Sequence, residues 1–204
     1  MSWPDFERAR SYALERLERE LSPMLFYHSL AHTRDEVAPA TQRLAELTRV
    51  GGEALLLLRT AAYYHDIGFV ERRDDHESIG ARIAAAALPD FGYTPPQVDA
   101  IRGMIIATRL PQAPRTLLEQ LLADADLDVL GREDFLARNQ ALREELAAEG
   151  IRSADAQWYA DQLRFMRAHR YWTAAAQSAR GALKLQNIAR LAQLLAERQA
   201  RERE

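Results

Sequence analysis

Cysteine is absent from this chain of 204 residues. That removes disulfides, thiolate metal sites and a cysteine nucleophile, and it fits a reducing compartment. Long apolar runs are absent too. A run such as Ala54 to Leu58 is far too short to cross a bilayer. No sign of charge dominates: the net charge is −3 with acidic and basic residues interleaved, so the polyanion-binding face of a nucleic-acid protein is not expected. Met1-Ser2-Trp3-Pro4-Asp5 lacks the basic and apolar regions of a signal peptide. The expectation is a cytoplasmic protein with neither nucleic acid nor membrane as partner. Alternating β-branched stretches long enough for a sheet are missing as well, although a short strand near Phe91-Tyr93 stays open.

What is present reads as helix. Alanine, leucine, glutamate and arginine dominate, and apolar residues recur at spacings of three and four. The helical stretches break at Ser22-Pro23, Gly51-Gly52, Gly68, Leu88-Pro89 to Pro96, Pro111 to Pro114, Gly131 and Gly150. Thr94 before Pro95 reads as a cap with proline in the first turn, and Ser153 and Thr173 read as caps of the last two helices. The length suits one domain with a sizeable core. One all-α domain over residues 1–204 is therefore expected, with a charged tail, 197–204, that frays.

Against that background the pair His65-Asp66 stands out. It ends an apolar helical run, Leu55 to Tyr64, and Ile67-Gly68-Phe69 follows. Gly68 is placed to stop the helix, since glycine tolerates the left-handed conformation common past a helix end. Both polar side chains would then be held in the core, where an unpaired carboxylate is very costly. Mutual hydrogen bonding would satisfy the pair, and so would a metal ion.

Three flanking segments carry further polar residues in apolar surroundings. Upstream, in Tyr27-His28-Ser29-Leu30-Ala31-His32, two histidines four apart share a face if the segment is helical. Ser29 is equally suited to cap a helix, which leaves His28 just before the first turn. Downstream, Asp124, Asp126 and Asp128 alternate within an apolar stretch from Leu121 to Gly131. Aspartate is disfavoured inside helices and near their negative C-terminal end, so three in five positions ask for a reason, and a cation is a sufficient one. Between them, Asp74-Asp75-His76-Glu77-Ser78 opens a helix with the apolar face Ile79, Ile83, Ala86 and Ala87.

The order His…His-Asp…Asp resembles the signature of the HD-domain metal-dependent phosphohydrolases. The Tyr27-His28…His32 segment is similar to the Tyr-His-x-x-x-His start of members related to cyclic-nucleotide phosphodiesterases. The resemblance spans residues 26–131 and is looser over the helices of 132–196. It implies a single-domain HD-type helical bundle in which His32, His65, Asp66 and Asp126 hold one divalent ion. It also implies that His28 gives a proton to the leaving oxygen, while His76 faces the substrate or a second metal. Asp124 would orient a ligand histidine through its other ring nitrogen. Where dinuclear members continue with further histidines, this chain has Ile105-Ile106-Ala107-Thr108-Arg109, which favours one metal.

Two imidazoles and two carboxylates suit Mn, Fe, Co, Ni or Zn better than Mg. An ion so held activates a water and neutralises phosphoryl charge, with Asp66 able to orient the water. Thr108, Arg109 and Lys184 are candidate contacts for a small phosphoester, a nucleotide above all. Arg180 and Lys184, four apart, fit either a basic wall beside the substrate or a solvated helix face. The expected activity is metal-dependent phosphomonoester or phosphodiester hydrolysis. The alternative is a nucleotide-sensing or regulatory module with little turnover.

Overall fold

The computed structural model describes residues 3–201. Among them there are nine α-helices, short π- and 3-10 segments, and no strand. The Phe91-Tyr93 stretch is not extended: a 3-10 turn, Leu88–Phe91, closes onto Gly92 at φ +83°. The chain falls into two compact units, residues 1–126 and 127–204.

The first unit contains α1 (Phe6–Glu20), α2 (Ala38–Leu47), α3 (Gly52–Tyr64), α4 (His76–Ala87), α5 (Pro95–Ala107) and α6 (Leu117–Asp126). Helix α3 packs against α1, α2, α5 and α6, as its apolar circumference requires: a helix hydrophobic on all sides belongs in the middle. Leu58, Ala61, Ala62 and Tyr64 of α3 have no exposed surface. The two polar groups buried with them are answered, Tyr64 Oη donating to the Ala9 carbonyl at 3.0 Å and Thr60 Oγ1 bonding Tyr93 Oη at 2.7 Å. Thr94 forms the expected reciprocal cap of α5 with Gln97, with Pro95 in the first turn.

The entry to α2 is unusual. Ser29 Oγ accepts from the His32 amide at 3.3 Å, so Ser29 starts the helix and His28 lies just outside it. The helix then widens into a π segment, His32–Val37, in which Ala38 N–H reaches back to Thr33 O before α2 begins. Pro39 supplies the reason. Its ring has no N–H and would press on the carbonyl four residues back, so the preceding turn opens.

Gly68 does not act through a left-handed conformation. It sits inside a 3-10 turn, Ile67–Val70, and a Cβ there would overlap the carbonyl of His76. Its role is close approach of the turn after α3 to the start of α4.

The second unit holds a 3-10 turn, Asp128–Gly131, followed by α7 (Phe135–Ala148), α8 (Asp155–Ala168) and α9 (Ala174–Arg201). Asn187 on α9 donates to the carbonyls of Leu130 and Arg132 at 3.1 and 2.8 Å. Trp158 Nε1 donates to Asn139 Oδ1 at 2.8 Å. Thr173 Oγ1 accepts from the Ala176 amide as a cap. Ser153 does not cap α8: Ala154 occupies the cap position and makes no side-chain bond. The tail expected to fray instead continues α9 as far as Arg201. Its residues are good helix formers, Gln193 bonds Glu197, and Arg198 pairs with Asp155; residues 202–204 lie outside the described residues. No described helix is long and apolar enough to cross a membrane.

Candidate metal centre

Three stretches of the first unit deliver the site. The π segment brings His32, the end of α3 brings His65 and Asp66, and the last residue of α6 brings Asp126. His32 Nε2 and His65 Nε2 each lie 3.5 Å from Asp126 Oδ1, and 3.7 and 3.3 Å from Asp66 Oδ2. The ring centroids of the two histidines are 5.5 Å apart. His32, His65 and Asp66 are buried; Asp126 is half-buried, with 19% of its side chain exposed.

These atoms converge without satisfying one another. His32 Nε2, His65 Nε2 and Asp66 Oδ2 are buried and have no hydrogen-bond partner among the described residues, although buried polar atoms are nearly always paired. Aimed at a common point, they are the arrangement a cation would complete. His32, His65 and Asp66 offer ligand atoms all within 4.8 Å of one another, a spacing suited to one ion.

The outer ring nitrogens are each occupied, which sets the orientation of the inner ones. His65 Nδ1 lies 2.7 Å from the Ala62 carbonyl, and His76 Nδ1 lies 3.0 Å from the Arg73 carbonyl. A carbonyl only accepts, so each Nδ1 carries the hydrogen and a neutral ring turns its Nε2 lone pair inward. His32 Nδ1 is 3.1 Å from Glu36 Oε2. Glu36 thus orients His32, and the Ala62 carbonyl orients His65. Asp124 is fully buried on α6. Helix α6 ends at Asp126, and Asp128 beyond it takes a bidentate bond from Arg180, both contacts 2.8 Å, within the second unit.

The electrostatics are those of a charge set awaiting a cation. Burial opposes the protonated form of His65, yet the Asp66 carboxylate beside it raises its pKa well above the ordinary value. His32 is likewise raised against burial, by Asp126, Glu36 and Asp66. Burial pushes against ionisation of the carboxylates as well. The histidines overcome it, holding Asp66 well below the ordinary carboxylate range and Asp126 at about 2. Ring protons thus supply the positive charge that a divalent ion would bring.

Around the cluster, Phe69 forms a plate between two histidines. His28 stacks on it at 4.3 Å between centroids, and His76 lies at 4.1 Å on a tilt of 33°. His28 is also 6.1 Å from His32, so it borders the cluster. His76 Nε2 is 3.6 Å from both Asp66 Oδ1 and Glu77 Oε1. Glu36, Phe69 and the Ala62 carbonyl were not singled out from the sequence, and Glu77 only as the neighbour of His76. Only Glu36 left a signal there, four residues beyond His32 on one helical face.

The other residues expected to meet a substrate have partners of their own. Thr108 Oγ1 donates to the Ile105 carbonyl at 2.8 Å. The Arg109 guanidinium bonds Asp75 and, at 2.6 Å, Ser78 Oγ, and lies 3.5 Å from Glu77. Lys184, the single lysine of the chain, belongs to the second unit, where Nζ donates to the His169 carbonyl at 2.5 Å and sits 5.6 Å from the centre of the Tyr171 ring.

An all-α unit whose buried centre gathers imidazoles and carboxylates falls in the class of helical proteins able to hold a metal ion. Residues 26–130 match the family model of the HD domain, over half of the chain, and the chain belongs to that family. A crystal structure of a predicted HD superfamily hydrolase from an uncultured Thermotogales bacterium is similar, with a TM-score of 0.62 at 19% identity. The match covers 97% of this chain and 93% of that one, and at that identity the likeness is one of fold. No curated protein matches.

Proposed function

We propose that the protein is a metal-dependent phosphohydrolase acting on a nucleotide or another small phosphorylated metabolite. The observation that carries this reading is the meeting of His32, His65, Asp66 and Asp126 around one point with three buried ligand atoms left unpartnered. A divalent ion held by these four residues would lower the pKa of a bound water and offset charge developing on the phosphoryl oxygens. The mixed nitrogen and oxygen donors favour Mn, Fe, Co, Ni or Zn over Mg.

The remaining roles belong to the chain's own groups. Asp66 Oδ1, which faces His76, orients the attacking water by accepting its hydrogen. His28, at the border of the cluster and braced on Phe69, gives a proton to the leaving oxygen. His76 meets the phosphate. Arg109 is held by Asp75, Ser78 and Glu77, and binds substrate only by exchanging one of these partners.

Metal analysis of the purified protein, followed by a phosphate-release screen over nucleotides, cyclic nucleotides and sugar phosphates with several metals, tests the proposal. At least one substrate should be hydrolysed, with a rate that rises with pH. Tight nucleotide binding without any product, whatever the metal, would replace the hydrolase with a sensor.

A further inference from the structure

A cavity of about 370 Å³ opens in the first unit, lined by Arg34, Ala38, Pro39, Gln42, Arg59 and Tyr63. Its walls are the two helical stretches that carry the metal-site histidines, used from the other side. Arg34 is two residues past His32, and Tyr63 two residues before His65. At helical spacing two residues turn a side chain by roughly half a revolution.

The lining has two guanidinium groups, a phenol and a carboxamide, but no carboxylate. Arg59 is half-buried and lies 4.3 Å over the centre of the Phe6 ring, which in turn is 6.0 Å from Tyr63. Among the described residues Arg59 makes no hydrogen bond and no ion pair, so its charge is positioned by the aromatic face yet left without a counter-ion. The Tyr63 hydroxyl has no hydrogen-bond partner among them either. Arg34 pairs with its neighbour Asp35 through two contacts of 2.8 Å. Both side chains are exposed, and such pairs hold weakly against a competing anion.

We propose that this cavity is a binding site for a small phosphate-bearing anion, separate from the metal centre. Guanidinium groups take phosphate oxygens in a bidentate fork, and the tyrosine hydroxyl adds a donor. The volume lies at the small end of ligand pockets, which fits a compact anion rather than a large cofactor.

Inorganic pyrophosphate titrated calorimetrically into the full chain, stripped of metal, tests the proposal without depending on the hydrolase reading. Saturable binding is expected, weakened at least tenfold by Arg59→Gln and by Arg34→Gln, and tightened by Asp35→Asn, which frees Arg34. His76→Ala should leave it unchanged. Arg34 is exposed, so Arg34→Gln keeps the fold even if loss of the Phe6 contact destabilises Arg59→Gln. Absence of saturable binding overturns the proposal. So does binding that survives both arginine substitutions, or that disappears in His76→Ala. Adenosine diphosphate in a parallel titration separates the sources: affinity equal to that of pyrophosphate assigns recognition to the phosphates alone, and tighter binding assigns part of it to the nucleoside.

Discussion

His65 Nδ1 donates to the carbonyl of Ala62, 2.7 Å away and three residues earlier on the same stretch of chain. The backbone at the end of α3 therefore turns Nε2 of a candidate ligand towards the centre, where its lone pair becomes available to an ion once that nitrogen gives up its proton. Asp66 follows immediately, so one helix end supplies both an oriented nitrogen and a carboxylate.

Removing that carboxylate should empty the centre. Asp66→Ala is expected to lose bound metal and phosphate release together, because the variant deletes one candidate ligand and leaves the others short of negative charge. Elemental analysis beside an activity assay checks this. Stoichiometric metal with full turnover in the variant would take Asp66 out of the site.

Glu36 tests the support behind His32. Partners of ligand histidines commonly contribute ten- to a hundredfold in metal affinity, so Glu36→Gln should weaken binding by about that factor while circular dichroism and melting temperature stay close to wild type. An unchanged affinity, read by competition with a chelating dye, would show that the 3.1 Å contact does not tune the ligand.

His28→Ala separates chemistry from metal binding. The variant should keep its metal and slow turnover by roughly a hundred- to ten-thousandfold, the range for a positioned general acid. The loss should shrink on a substrate whose leaving group needs no proton. Equal losses on both substrates would assign His28 to structure instead.

Gly68→Ala probes packing. The added methyl would overlap the His76 carbonyl, so the start of α4 must move. Overpacking of this kind costs about 1–3 kcal/mol, and thermal denaturation should report it. Wild-type stability in the variant would mean that the turn yields freely.

The second unit offers a pH test. Both ring nitrogens of His169 are buried without partners among the described residues. Burial, and then the charge of Lys184, lower its pKa from 6.5 to about 4. The unfolded chain thus takes up this proton below pH 6.5, whereas the folded protein resists it until about 4. Stability from this group is complete above 6.5 and declines as pH falls towards 4. Denaturation midpoints of wild type and His169→Gln should therefore draw together, in the variant's favour, between pH 7 and 4.5. Parallel profiles would exclude His169 as a source of acid sensitivity.

Much of this was readable along the chain because its signals are local. Apolar spacing of three and four produces helices wherever the chain folds. The cap at Thr94 depends on Gln97, three residues away, and the prominence of His65-Asp66 depends on the apolar run directly before it. The candidate ligands were legible in part for the same reason: polar residues in otherwise apolar stretches need partners, while the choice of His32 over His28 and of Asp126 among three aspartates came from the family resemblance. Sequence by itself therefore determined an all-helical protein with imidazoles and carboxylates set in apolar stretches where they need partners.

Tertiary structure decided how those groups are held. Gly68 reads locally as a helix stop, but only the approach of the His76 carbonyl from α4 shows why a side chain is excluded. Arg109 reads as a phosphate contact, whereas its partners Asp75 and Ser78 lie more than thirty residues earlier. Asp126 meets His32 because α6 packs on α2. Such pairings arise from side chains distant in sequence, and their geometry is set by the packing of whole helices, on which local propensity is silent.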